Sequence, residues 1–411
     1  MAEVRKGYTP FRDGDVIFAK VTPCMENGKA AVMKGLTNGV GFGSTEFFAL
    51  RPSARIDANY LLHFLLQRSF RQQAARNMTG AVGLRRVPKS YLEQQQIPLP
   101  PIDQQQRIVA AIEKQFTRLE AGVAALRRVQ ANLKRYRAAV LKAACEGRLV
   151  PTEADLCKTR NQKGEFETGE ALLACILTER RANWKGKGRG QYQEPATPVT
   201  TQLGRLPEGW TWATVEQLST RVQYGSSEKT NGDSTGVPVL RMGNIQDGMF
   251  DFDSLKYLPN AHDEFPELLL AKGDLLFNRT NSAELVGKTA VFKGAPDPCS
   301  FASYLIRVRF GEGCIPDFVS YFINSILGRA WIAGVVSQQV GQANVNGTKL
   351  QALAIPLPPF AEQQRIVAEV ERRLSVIEEV EAVIAANLQR VDRLRQSILK
   401  QAISTTDAKF S

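Results

Sequence analysis

Histidine and cysteine are scarce in this sequence, and neither occurs in a spacing typical of metal sites or disulfide frameworks. The 411 residues include 2 His, which leaves little material for histidine-based metal or acid–base sites. The 6 Cys form no Cys-x-x-Cys pair, so we interpret them as reduced thiols rather than a disulfide framework or a zinc cluster. No uncharged apolar run approaches the length of about 18 residues that a membrane span needs, and the N-terminus lacks a signal-peptide core. We therefore predict a cytoplasmic protein.

Motifs for nucleotide binding and catalysis are also missing. Gly287-Lys288-Thr289 resembles the end of a phosphate-binding loop, but Ser282 stands where that loop requires glycine. No Gly-x-Gly-x-x-Gly motif follows a strand, and no Asn-Pro-Pro-aromatic tetrapeptide occurs. The carboxylates Asp251 and Asp253 lie in a turn-rich segment, where capping is the more frequent role. We expect no catalytic residues, no metal and no cofactor-binding residues in this chain, and hence no enzyme.

The charge balance points to a polyanionic partner. Lys and Arg number 53 against 41 Asp and Glu, which gives a net charge of +12. A basic surface of this kind favours nucleic acid, although charge alone says nothing about fold. With 43% hydrophobic residues, a chain of this length can fold into two or three ordinary domains.

A long internal repeat organises the chain. Residues 97–112 recur as residues 355–370 at an offset of 258, with 11 of 16 positions identical. Further upstream, Gly14-Asp15 matches Gly273-Asp274 at an offset of 259. A period this long indicates two copies of a whole domain followed by a helix, because solenoid repeats are far shorter.

Each copy of the repeat leads into a long heptad pattern. Mostly apolar residues alternate at spacings of three and four from Val109 to Val140, and again from Val367 to Ile398, with a few polar positions that can fix the register. Such seams are typical of coiled coils, so we predict that the two long helices pair with each other. Two amphipathic helices, each packed on its own domain, are the alternative. Gly147 is a candidate C-terminal cap of the first helix.

The globular parts mix strands and helices. Short apolar runs at 237–242, 274–277, 286–292 and 305–309 lie between Gly, Asn and Asp turns and predict strands. The first copy repeats them at 15–19, 30–33 and 47–50. Helical spacing predicts helices over 60–75, 170–184 and 317–335. The fold class predicted is therefore α/β, of the mixed α+β kind.

Exposed turns rich in Arg, Lys, Asn and Gln are candidates for reading base edges, because these side chains make bidentate contacts in the major groove. Any single turn of this kind is more often an ordinary turn, and only the set on a basic protein favours nucleic-acid contact. The candidate DNA-binding residues are Lys20, Asn27, Lys29, Arg85, Arg86, Arg221, Gln223, Tyr224, Arg241, Asn244, Asn278, Arg279, Asn281, Gln342, Asn344 and Asn346.

The combination resembles the specificity subunit of type I restriction–modification systems. The resemblance rests on the two Ile-Pro-Leu-Pro-Pro segments at 97–101 and 355–359, each followed by Gln-Gln-Arg-Ile-Val and a long helix. Leu206-Pro-Glu-Gly-Trp-Thr-Trp212 is similar to the opening of a target-recognition domain, and residues 16–29 are similar to a segment of one such domain class.

The resemblance implies two similar target-recognition domains, separated by two long antiparallel coiled-coil helices that set the distance between two half-sites in double-stranded DNA. It implies a non-catalytic subunit that docks two modification (methyltransferase) subunits, with restriction subunits in the holoenzyme. S-adenosylmethionine, ATP and Mg are then expected on the partner subunits. A coiled-coil scaffold that binds proteins without sequence-specific DNA binding is the alternative function.

The resemblance also assigns boundaries along the chain. At an offset of 259, the counterparts of residues up to 259 fall before Met1, so we expect a first recognition domain that is incomplete at its N-terminus. Either the true start lies upstream or the chain is truncated. The expected order is a first recognition domain at 1–101, a first helix at 102–147, a linker at 148–204, a second recognition domain at 205–359, a second helix at 360–403 and a tail at 404–411.

Overall fold

The computed structural model describes residues 7–81, 83–159, 166–184, 191–339 and 342–404. The chain divides into two units by its internal contacts. The first unit comprises Met1–Ala131 and Val380–Ser411, and the second comprises Asn132–Glu379. Each unit therefore contains a globular part and a section of both long helices.

The globular part of the first unit contains five short strands and three helices among the described residues. The strands are β1 Thr9–Arg12, β2 Val16–Ala19, β3 Ala30–Val32, β4 Val40–Gly43 and β5 Phe47–Leu50. The helices are α1 Ala58–Leu65, α2 Arg68–Arg76 and α3 Lys89–Glu93, and the first long helix follows as α4 Ile102–Cys145. The strands form an antiparallel sheet in the order β3-β2-β5 and a separate antiparallel pair, β1-β4.

The second unit has a larger set of elements. Its helices are α5 Glu153–Thr159, α6 Gly169–Ala182, α7 Val215–Leu218, α8 Pro316–Asn324, α9 Ile326–Val335 and α10 Gly347–Gln351, and the second long helix is α11 Phe360–Ser404. Its strands are β6 Thr211–Thr214, β7 Ser219–Tyr224, β8 Val237–Leu240, β9 Ile245–Gln246, β10 Met249–Phe250, β11 Lys256–Leu258, β12 Leu275–Asn278, β13 Thr280–Asn281, β14 Thr289–Val291, β15 Ser300–Phe301, β16 Leu305–Phe310, β17 Ser337–Gln339, β18 Gln342–Asn344 and β19 Ala354–Leu357.

The strands of the second unit form several small sheets. The orders are β14-β12-β16-β7, β13-β18-β17, β11-β8-β15, β10-β9 and β19-β6. The mixed α/β fold that the sequence predicts is confirmed.

The sequence repeat is a structural repeat with matched register. In the first unit Val16 of β2 pairs with Leu50 of β5, and in the second unit Leu275 of β12 pairs with Val308 of β16. Strands β3 and β14 flank β2 and β12 in the same register. The order β3-β2-β5 therefore corresponds strand by strand to β14-β12-β16.

The two long helices run antiparallel, as the resemblance implies. In the first unit Arg395 donates to Glu120 Oε1 at 3.1 Å, while Val109 and Ile403 share an apolar cluster. Residue numbers thus rise along α4 as they fall along α11. Predicted seam positions such as Ile112 and Ile384 are buried, which supports the heptad pairing.

One buried glutamine in each unit fastens the start of the long helix to the globular part. Gln105 donates to the carbonyls of Arg55 and Pro100 at 2.9 and 2.7 Å, and its Oε1 accepts from the amide of Asp57 at 2.9 Å. Gln363 repeats all three bonds at an offset of 258. Both residues are fully buried. Each amide side chain therefore satisfies three backbone groups that would otherwise be stranded away from water.

The predicted opening segment of the second recognition domain is held by α11. The indole of Trp210 donates to Glu362 Oε1 at 2.9 Å, and the amide of Glu153 donates to the other oxygen at 3.0 Å. Burial raises the pKa of the Glu362 carboxyl, while these hydrogen bonds and Arg365 oppose that shift.

Two of the predicted helices are each broken in two. The predicted helix over 317–335 is wrong at Ser325, which ends α8 and caps α9 by accepting from the amide of Leu327. The predicted helix over 60–75 is wrong at residues 66–67, between α1 and α2. Apolar periodicity continues through both breaks, so it could not reveal them. The predicted cap at Gly147 is confirmed, since its φ is +64° and Arg148 donates to the carbonyl of Ala143 at 2.9 Å.

Across the described residues, no single helix has the length and apolar character that crossing a membrane requires. The pair α8 and α9, bent by 68°, meets the requirement only when the two helices are counted together.

Replacing the buried glutamine should destabilise the fold. Gln363→Ala leaves the amide of Ile315 and two carbonyls without their partner, so we expect the free energy of unfolding to fall by about 1–3 kcal/mol. Urea denaturation followed by circular dichroism measures the loss. Gln364→Ala removes an exposed glutamine one residue away and serves as the control. Equal stability of the two variants would contradict the fastening role.

Glu362 should give the stability a distinct pH dependence. A carboxyl whose folded pKa lies above its unfolded value binds more protons when folded, so stability falls as the pH rises through that window. Against Glu362→Gln, we expect the wild type to lose stability as the pH rises above the ordinary carboxyl pKa of 4.5 and through the raised pKa of Glu362. Thermal unfolding at a series of pH values measures this, with the exposed Glu379→Gln as control. A pH profile for Glu362→Gln parallel to the wild type would refute it.

Candidate nucleic-acid interface

Arg279 and Tyr224 form the centre of a polar surface in the second unit. Arg279 follows β12, and its guanidinium carbon lies 4.9 Å from the centre of the Tyr224 ring. Its Nη1 makes one long hydrogen bond, 3.4 Å, to the carbonyl of Ser303. The tyrosine is 43% exposed and its hydroxyl accepts from the amide of Gly347 at 2.7 Å. An arginine that lies over an aromatic ring and has several N–H donors suits a ligand rich in hydrogen-bond acceptors.

The candidate asparagines beside Arg279 lie on the β13–β18 pair. Asn344 Nδ2 donates to Thr280 Oγ1 at 2.9 Å, and both residues are half-exposed. Asn281 accepts from the amide of Ser282 at 2.8 Å through its own Oδ1. Gln342 belongs to β18, but its side chain lies outside the part of the chain that the structure describes. The pairing of β13 with β18 brings segments more than 60 residues apart to one surface.

Arg221 and Gln223 belong to a different cluster, on the sheet formed by β7 and β16. Arg221 pairs with Glu267 at the surface, and Gln223 Oε1 accepts from Arg307. Arg307 is fully buried and also donates to the carbonyl of Leu269 at 2.7 Å. Desolvation lowers the pKa of Arg307, and the nearby carboxylate of Asp274 opposes that shift. Sequence reasoning missed Arg307, whose apolar neighbours in β16 gave no sign that it is a buried structural cation.

Four further candidates also have hydrogen-bond partners within the domain. Asn244 is buried, accepts from the amide of Arg241 at 2.9 Å and donates to the carbonyl of Asp251 at 2.8 Å. Arg241 itself donates to the carbonyl of Ser254 at 3.0 Å. Asn278 is fully buried, with a 3.5 Å bond to the carbonyl of Leu285. Asn346 caps α10 by accepting from the amide of Lys349 at 2.9 Å. These contacts build the turns, and their DNA contacts stay predictions.

The first unit presents a smaller set of cations. Lys20 Nζ lies 5.4 Å from the centre of the Phe48 ring. Arg86 donates to both oxygens of Glu46 at 2.8 and 2.7 Å, and these bonds lower the pKa of the glutamate. Arg85 Nη2 lies 3.6 Å from Glu26 Oε1. The exposed side chains of Asn27 and Lys29 lie on the turn that follows Lys20.

The two surfaces occupy the same backbone positions. The amide of Lys20 donates to the carbonyl of Glu46 at 3.0 Å, just as the amide of Arg279 donates to the carbonyl of Tyr304 at 3.0 Å. The backbone carbonyl of the same residue accepts a 2.9 Å hydrogen bond in both units. The donor is the amide of Val87 for Lys20 and the amide of Val345 for Arg279. Lys20 and Arg279 are therefore structural counterparts.

A second pair of counterparts is set by bridges between strands. Arg86 bridges to Val21 and Thr79, and Asn344 bridges in the same way to Thr280 and Ser337. Each unit thus presents three neighbouring positions on one framework, with different side chains. Sequence reasoning found the positions of Lys20 and Arg86 in one unit and of Arg279 and Asn344 in the other. It missed the third, Glu46 and the 48%-exposed Tyr304, because each stands directly before an apolar strand and outside the turns rich in Arg, Lys, Asn and Gln.

Within the described ranges, no three His, Cys, Asp or Glu side chains come together in an arrangement that could hold a metal ion. All six cysteines are free thiols, as predicted.

Arg307 should matter for stability far more than its neighbour Arg221. Arg307→Ala leaves the acceptors on Leu269, Glu267 and Gln223 without their donor, so we expect a loss of about 3–5 kcal/mol in the free energy of unfolding. Arg221→Ala removes an exposed ion pair, whose loss should cost less than about 1 kcal/mol. Chemical denaturation measures both variants, and similar losses would contradict the assignment of Arg307 as the structural cation.

Comparison with known proteins agrees with this arrangement. The model of the type I restriction modification DNA specificity domain matches residues 4–125 and 207–390. The chain is 28% identical to the EcoEI specificity subunit and 25% identical to the EcoAI specificity subunit of Escherichia coli, over 100% and 98% of this chain and 74% of each relative. A chain in a solved structure of a type I R-M system is similar with a TM-score of 0.63 at 22% identity, covering 97% of this chain and 84% of that chain. The chain belongs to the family of type I restriction modification DNA specificity domains.

Proposed function

We propose that this chain is the non-catalytic subunit that gives a type I restriction–modification complex its DNA sequence specificity. One surface, around Lys20 and Arg86, contacts one half of a bipartite site, and the surface around Arg279 and Asn344 contacts the other half. The observation that carries this is the position-by-position match of the two surfaces. Two copies of one framework with different side chains suit the reading of two different short sequences.

The side chains present are suited to DNA. An arginine stacked on tyrosine can donate to the two acceptors of guanine, and an asparagine can donate to and accept from adenine in the major groove. The positive charge adds phosphate attraction that depends on salt. Docking of two modification subunits, with S-adenosylmethionine on them and ATP and Mg on restriction subunits, belongs to the same proposal and rests on the family.

Single substitutions should alter one half of the recognised site at a time. Arg279→Ala should reduce discrimination at one half-site by about 1–3 kcal/mol, and Lys20→Ala should weaken the other half, because each side chain is confined to one unit. Selection of bound sites from random DNA, followed by gel-shift titration, measures this on the chain assembled with its modification subunits.

A matched control separates recognition from charge. Lys272→Ala removes one exposed positive charge at the far end of β12 from Arg279 and should leave the selected sequence unchanged. If Arg279→Ala weakens every sequence equally, Arg279 is a phosphate contact. If the assembled complex selects no sequence, the scaffold alternative replaces the proposal.

A further inference from the structure

A concave pocket in the first unit is lined by four arginines. It has a volume of about 700 Å³ and lies where α2 meets the C-terminal part of α11. Arg68 and Arg71 of α2 form one side, and Arg393 and Arg395 of α11 form the other. The volume falls within the range of about 300–1,000 Å³ that is typical of small-molecule sites. We call this cavity the arginine pocket.

The arginine pocket carries a surplus of positive charge. Two carboxylates, those of Glu26 and Asp392, line it beside the four arginines, which leaves a net charge of +2. Within the described residues, Arg68, Arg71 and Arg393 form no ion pair with a carboxylate. Burial lowers the pKa of the Arg71 guanidinium, and the positive charge of Arg68 lowers it further. An anion between these side chains would relieve their repulsion.

Two of the arginines are held in place by the fold. Arg71 donates to the backbone carbonyl of Glu26. Arg395 donates to Glu120 Oε1 at 3.1 Å, and its guanidinium carbon lies 5.6 Å from the centre of the Phe116 ring. Side chains that are already ordered lose little conformational entropy when a ligand binds. The pocket is therefore largely formed in advance.

The other two arginines, Arg68 and Arg393, have exposed side chains. The backbone amide of Arg68 donates to Gln396 Oε1 at 2.6 Å, so the first turn of α2 is joined directly to α11. A planar guanidinium offers two parallel N–H donors, which match two oxygens of a phosphate group. A phosphate monoester carries about 1.5 to 2 negative charges at pH 7, which is close to the surplus in the pocket.

The second unit does not repeat this charge within the residues that the structure describes. The counterpart of Arg68 at the offset of 258 is Ile326, which begins α9 and is 60% exposed. The cavity beside the long helices in the second unit is lined by four carboxylates and two cations. The DNA recognition surfaces occur in both units, whereas the arginine pocket occurs in one. This difference favours a ligand other than DNA.

We propose that the arginine pocket binds a small phosphorylated anion, with Arg68 and Arg393 donating to its phosphate oxygens from two different helices. The volume, the net charge and the absence of a counterpart in the second unit support this together. The proposal goes beyond the proposed function, since it concerns a small molecule and not DNA.

Calorimetric titration of the full chain with pyrophosphate, without DNA, tests the proposal. We expect saturable binding of one pyrophosphate per chain at an ionic strength of about 0.15 M, at which attraction between exposed charges is largely screened. Arg68→Ala and Arg393→Ala should each weaken binding at least about tenfold, because each removes a charge-assisted hydrogen bond. Both side chains are exposed, so the fold should persist.

Each variant has a matched control on the same helix. Arg76→Ala in α2 and Arg390→Ala in α11 remove exposed arginines that do not line the pocket, and they should leave the affinity unchanged. Pyrophosphate should also raise the midpoint of thermal unfolding of the wild type and of both controls, because a ligand that binds only the folded chain stabilises it. The rise should be much smaller in Arg68→Ala and Arg393→Ala.

Absence of saturable binding, or equal losses in the variants and their controls, would overturn the proposal. A different result would overturn it in favour of DNA: Arg68→Ala and Arg393→Ala leave pyrophosphate binding unchanged but weaken binding to every DNA sequence equally, as backbone contacts do. Because the titration contains no DNA, its failure is distinguishable from a failure of sequence selection by the assembled complex.

Discussion

The organisation of both units depends on one interaction, the buried glutamine at the start of each long helix. Heptad contacts join the two long helices to each other, whereas the joint between a helix and its globular part needs contacts of its own. Gln105 and Gln363 each satisfy three backbone groups at the joint, and their amides are rigid, neutral and of the right length for all three. A charged side chain there would need a counter-charge, and an apolar one would leave the backbone unsatisfied.

The same framework with different side chains is what makes two different recognition surfaces possible. The backbone bonds around Lys20 and Arg279 agree closely in the two units. Their neighbours differ: a glutamate–arginine ion pair in one unit, a tyrosine and an asparagine in the other. Because the framework is held by backbone hydrogen bonds and by the buried sheet, the exposed side chains can vary without loss of the fold. Glu46 and Tyr304 therefore join the candidates on structural grounds alone.

Sequence patterns predicted the fold class, the long helices and the strands of the two matching sheets β3-β2-β5 and β14-β12-β16, because those depend on periodicity and on repeats. They failed where one helix ends and another begins without a break in the apolar pattern, as at Ser325, whose hydroxyl caps a new helix. They also could not separate a structural amide from one free for DNA. Asn244 and Asn278 look like turn residues in the sequence, yet both are buried within the domain.

The sequence by itself determined the duplication, the heptad seams and the basic charge, since identity, spacing and composition are properties of the chain alone. Only the tertiary structure decided which Lys and Arg side chains lie at the surface and which strand ends the sheet of the first unit. Arg279 follows the apolar strand β12 and Arg307 lies within β16, but one lies over a tyrosine at the surface and the other is fully buried among carbonyls. That difference arises from contacts between distant segments, which local sequence does not encode.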